Sequence, residues 1–235
     1  MDTKTRRLAL AAGVLYLVTF AASMPTLGMK APLTDHADWI LGHGSDTGII
    51  AACLLDFVCA VAGIGTAVAL YPVVRRFSRT SAIGFITSRT LEAAILVVGA
   101  ISLMSVVSLR NSGVGDPAAL LTASESLVAT HRWAFLFGPG FMPAINALFL
   151  ATVMYRARLV PRFIPLMGLV GAPLLTASSI ATMFGGHGQV SSTAAAFALP
   201  IAAWEFSVGV YMMVKGFQRP VDSVEAPALN HAFAV

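Results

Sequence analysis

Charged residues are what this chain has least of: Asp, Glu, Lys and Arg make up 11% of its 235 residues, where soluble domains carry about 25%. With 57% hydrophobic residues, the apolar positions come in repeated runs long enough to cross about 30 Å of hydrocarbon, which excludes an ordinary soluble globule. Cysteine is nearly missing as well. Cys53 and Cys59 fall in one apolar run, about 9 Å apart by helical rise, so neither a mutual disulfide nor a CxxC site is expected. No HExxH, GxSxG or paired Glu-x-x-His motif occurs, and the sequence names no cofactor. The net charge of +4 does not describe a polyanion-binding surface, because the basic residues sit in short clusters between apolar runs. Nucleic acid is therefore not an expected partner.

What is present is a set of six spans, at 8–27, 48–73, 82–107, 127–155, 163–184 and 194–214. The expected fold class is all-α: a polytopic membrane protein whose single six-helix domain occupies 1–220, followed by a flexible cytoplasmic tail at 221–235. The first run follows Lys4, Arg6 and Arg7, yet it is longer than a signal-peptide core and is read as a retained span. Dense basic clusters recur at Arg75, Arg76 and Arg79, at Arg156, Arg158 and Arg162, and at Lys215 and Arg219. The alternate connections hold only Lys30, Arg110 and Arg132. By the positive-inside rule both termini are cytoplasmic, in a multi-pass protein of the bacterial inner membrane.

The first outer connection, KAPLTDHADWILGHGSD, contains Asp35, His36, Asp38 and His43, which are weak metal-ligand candidates that would need a folded loop. A solvated polar loop is the favoured reading, with Trp39 and Ile40 available for the bilayer surface. His187, in the Gly-rich third connection, reads as solvent-exposed. In the fourth span, Gly138, Pro139, Gly140 and Pro143 crowd one or two turns and predict a kink or break.

Ionisable residues inside spans are costly and need partners or water. Arg89 and Glu92 share a helix face, about 10 and 15 Å from the cytoplasmic end of the third span. Asp56, His131 and Glu205 fall within the second, fourth and sixth spans. Together the five form a candidate intramembrane polar site: Arg89 and Glu92 as its inner half, Asp56 and His131 as its outer half, and Glu205 as the central partner. Candidate lining residues are Phe135, Met142 and Asn146, which follow His131 at helical spacing, and Trp204 beside Glu205. Three carboxylates against one guanidinium leave an acidic excess of two, which a low dielectric resolves by protonating a carboxylate or recruiting a cation.

Three functions fit such a site. The first is small-molecule or proton-coupled transport. The second is an intramembrane enzyme acting on a lipid or small apolar substrate, with Asp56, Glu92, His131 and Glu205 as ligands or acid/base groups. The third is a ligand-binding or accessory membrane protein whose polar cluster locks helix packing. The expected partners are the lipid bilayer and a small molecule, lipid or proton.

The segments RRLALAAGVLYLVTF, RTLEAAILVVGAISL, HRWAFLFGPG, VPRFIPLMGLVGA and WEFSVGVYMMVKGF resemble the bacterial integral membrane proteins grouped as domain-of-unknown-function family 4386. The resemblance runs over roughly 6–217 and implies a compact helical membrane protein. It carries no activity, so Arg89, Glu92, His131, Pro161, Gly168, Glu205, Lys215 and Gly216, which prompted it, take no role from it.

Overall fold

The computed structural model describes residues 3–42, 44–113 and 115–218. Among them are the helices α1 (Thr3–Ser23), α2 (Thr26–Thr34), α3 (Asp46–Val74), α4 (Arg79–Ser112), α5 (Pro117–Phe135), α6 (Met142–Ala157), α7 (Phe163–Met183) and α8 (Ser192–Val214). A 3-10 turn, Ala37–Leu41, precedes α3, and a π-helical segment, Leu136–Phe141, joins α5 to α6. Six of these stretches are long and apolar enough to cross a membrane: α1 with α2, α3, α4, α5 through α6, α7, and α8. The chain is an all-α, six-span membrane protein.

The helix boundaries follow local chemistry. Ser45, Ser78 and Ser191 cap α3, α4 and α8, each accepting from a backbone N–H of the first turn. Pro117 occupies the first turn of α5, where its missing N–H costs nothing, and Gly113 closes α4 in a left-handed conformation, φ 62°.

Each span packs on its neighbours in sequence, and the last packs on the first, which closes the spans into a ring. The α8–α1 seam is closed by Gly13 and Gly209. A Cβ on Gly13 would lie 2.6 Å from the Gly209 carbonyl oxygen, so only glycine lets the two backbones approach this closely. At the same seam Arg6 donates to the carbonyls of Met212, Met213 and Val214, satisfying the open C-terminus of α8. The Arg6 end of the ring, which also carries Arg75, Arg79, Arg156 and Arg162, is its basic end. It is filled by a core in which Tyr16, Leu70, Phe85, Leu150, Met154, Trp204 and Met212 are buried.

The opposite end departs from the expected loop. Residues 28–34 are helical rather than a polar connection, and the fourth span begins at Pro117, ten residues before the expected start at 127. Trp39 and Ile40 do not lie on the bilayer surface; both are buried, packed with Leu33, Ile49, Leu103 and Val128. Arg110 explains the difference: its guanidinium lies 4.3 Å from the Trp39 ring centroid, 3.0 Å from Asp46, and donates to the Gly44 carbonyl, folding the turn onto α4.

The Gly/Pro-rich fourth span does not break. Pro139 and Pro143 each remove a backbone donor, and the helix widens into the π segment, where Ser179 of α7 donates to the Gly140 carbonyl at 2.9 Å. Arg219 and the expected tail at 221–235 lie outside the described residues.

Candidate functional site

Inside the ring lies a cavity of about 290 Å³, lined from all six spans. Phe20 and Leu27 come from the first span, Asp56 and Cys59 from α3, Arg89 and Glu92 from α4, Phe135 and Pro143 from the fourth span, Leu175 from α7, and Glu205 from α8. Its walls are mostly apolar, while its floor is charged.

The floor is built around Arg89, which is 4% exposed. One terminal nitrogen, Nη1, donates to Glu92 Oε2 at 2.9 Å, and the other, Nη2, donates to Glu205 Oε1 at 2.5 Å, joining α4 to α8. Two aromatic rings flank the guanidinium, Tyr16 at 5.2 Å and Phe85 at 5.7 Å. Glu92 also accepts from Asn146 Nδ2 at 2.6 Å, which ties in α6. Two polar atoms of this buried network have no partner: Arg89 Nε and Asn146 Oδ1. An unmet buried donor or acceptor costs about 1–3 kcal/mol, so the floor is incomplete as a purely internal network.

Asp56 lines the same cavity nearer the opposite end, and its partner is Lys30 of α2, 2.5 Å away, with both side chains about 4% exposed. Sequence reasoning placed Lys30 in an outer connection and missed this pair. The signal was charge balance, since Asp56 sits about two turns inside its span and Lys30 is the only Lys or Arg between the first two spans. With Lys30 counted, two cations face three carboxylates, and the acidic excess is one rather than two.

The remaining candidates are distributed. His131 is buried but does not line the cavity; its Nδ1–H donates to the Gly99 carbonyl at 3.1 Å, which joins α5 to α4. Of the sequence stripe, Phe135 lines the cavity and Asn146 donates to Glu92, whereas Met142 is buried without lining the cavity. Trp204 is fully buried against Gly168 of α7, where an added Cβ would meet its ring at 2.8 Å, and it wedges α7 to α8 rather than facing the cavity. Asp35, His36 and Asp38 are exposed at the opposite end, and His43 lies outside the described residues. Among the described residues no three His, Cys, Asp or Glu side chains are grouped to hold a metal. His187 is not simply exposed: its ring nitrogens lie 3.2 Å from Ser178 Oγ and Thr182 Oγ1 of α7.

A second hollow of about 220 Å³ lies beside the cavity, the two sharing Leu27, Phe135, Pro139, Leu175 and Ala198 as wall residues. It reaches Gln189 and Val190 in the α7–α8 connection, and Val190 is 72% exposed. This second hollow lies toward the end opposite the basic clusters, while the basic end below the charged floor is filled by the packed core.

No curated protein and no solved structure matches the chain. A family profile does match, over residues 11–216, and the chain belongs to that family, described as a domain of unknown function (DUF4386).

Proposed function

We propose that the protein is a small-molecule transporter of the bacterial inner membrane, with both termini and the basic end cytoplasmic and the cavity opening to the other side. The observation that carries this reading is the cavity itself: its lining draws on every span, and its floor holds Arg89, Glu92 and Glu205 in mid-membrane. A cluster serving packing alone has no use for a ligand-sized space beside it, and ionisable groups at this depth mark substrate or proton pathways. On this reading the conformation is outward-open. Inward opening requires the α1–α8 seam to part below Arg89, where Arg6 and the Gly13–Gly209 contact hold it. The π segment and the Met24–Pro25 break between α1 and α2 border the cavity and supply the bending points.

The test is flux through the full chain in liposomes, using compounds that first raise its melting temperature. Glu205→Gln should reduce flux at least tenfold while the protein still elutes as a folded, monodisperse species. Unchanged flux would remove the charged floor from the mechanism. A variant that fails to fold would mark the cluster as a packing device.

A further inference from the structure

The polar groups left unmet at the charged floor are of both kinds. Arg89, which lines the cavity and is more than nine-tenths buried, keeps an Nε–H with no partner, and that donor calls for an acceptor. Acceptors are left over as well. Glu92 takes its hydrogen bonds from Arg89 and Asn146 on Oε2, and Glu205 takes its bond from Arg89 on Oε1. Glu92 Oε1 and Glu205 Oε2 therefore accept from none of the described residues. Both glutamates line the cavity, and their side chains are 15% exposed against 5% for the arginine that joins them. Around this polar patch the wall is hydrocarbon, from Phe20, Leu27, Leu96, Phe135 and Leu175. The space of 290 Å³ is about twice that of a cavity that accepts benzene, so it has room for about a dozen heavy atoms.

Building on the transport reading, we infer that the substrate is a small neutral alcohol, an apolar body bearing one hydroxyl that accepts from Arg89 Nε–H and donates to a free oxygen of Glu92 or Glu205. A hydroxyl is the simplest uncharged group that does both. An ether or ketone accepts without donating, so it answers Arg89 and leaves the glutamate oxygens unmet. An ammonium donates without accepting, so it leaves the Nε–H unmet. A carboxylate only accepts, and it brings a further negative charge beside two glutamates. The assignment holds whichever protonation the glutamates carry, because a hydroxyl donates to a carboxylate and accepts from a carboxylic acid. No covalent bond is made or broken, so the ligand leaves as it entered, as transport requires.

Cys59 reports occupancy, since it lines the cavity while Cys53 is buried without lining it. In the full-length Cys53→Ser chain in detergent, the rate of Cys59 modification by N-ethylmaleimide is measured with 2-naphthylmethanol, its methyl ether, 2-naphthylmethylammonium or 2-naphthoate present. The four probes share one apolar body and differ in the polar group, and their concentrations are corrected for partition into detergent. The alcohol should halve the rate at a concentration at least tenfold below that needed of any other probe. A smaller margin, stronger protection by the ether, ammonium or carboxylate, or ready modification that no probe slows overturns the alcohol assignment and leaves the accessible cavity of the transport reading standing. A Cys59 that reacts only after unfolding overturns the transport reading as well.

Discussion

Among single residues, Lys30 and Asp56 carry the clearest energetic consequence. Both side chains are almost fully buried, so removing either partner strands a charge away from water, at a cost of about 3–5 kcal/mol. Lys30→Met should lower the melting temperature sharply, and Lys30→Met with Asp56→Leu should recover most of the loss, because the pair's own net contribution is small once both are replaced by apolar groups. Thermal unfolding of the two single variants and the double variant in detergent measures this coupling. The composition of the candidate site was partly legible at this scale. Arg89, Glu92, Asp56 and Glu205 stand out as ionisable residues in apolar runs, and all four border one cavity. Lys30 was legible only through charge balance, because Gly28 and Pro32 disguise its short helix as a loop. His131 shows the converse limit: helical spacing put it on a stripe with Phe135, but a carbonyl of α4 captures its ring, a contact no spacing encodes.

For the helices, the controlling contacts are close approaches between backbones. Gly13→Ala places a methyl group 2.6 Å from a carbonyl oxygen of α8 and should loosen the seam, lowering stability by about 1–3 kcal/mol, as overpacking does. Gly63→Ala is the matched control. It lies mid-helix in α3 with nothing within 4 Å of an added Cβ, so it should be neutral or stabilising by up to about 1 kcal/mol through helix propensity. Parallel melting curves of the two variants decide whether the seam is as tight as the geometry requires. The existence of six spans was legible from hydropathy alone, since an 18-residue apolar run has few other uses. Their ends were not. Residues 28–34 and 117–126 extend helices past the expected boundaries because Lys30–Asp56 and the cluster around Trp39, on which Leu120 and Leu121 pack, hold these segments against the bundle. Likewise, the glycines and prolines of the fourth span foretold an irregularity, but its form as a π segment depends on Ser179 of another helix taking up the Gly140 carbonyl.

Across the whole molecule, the ring of spans makes one interior, and its asymmetry is the functional statement. The basic end is closed by packed aromatic and aliphatic side chains, whereas toward the opposite end a hollow beside Val190 shares wall residues with the cavity that holds Arg89, Glu92 and Glu205. That arrangement arises from contacts between residues as far apart as Arg89 and Glu205, which a linear reading can suspect from charge but cannot assemble. The proposed function turns on sided access to that polar floor. It is tested most directly by modifying Cys59 in the Cys53→Ser chain with a membrane-impermeant quaternary-ammonium methanethiosulfonate, applied separately to each face of oriented vesicles. The account predicts modification from the face opposite the basic clusters and none from the basic face. Modification from the basic face alone, or only after unfolding, would contradict it.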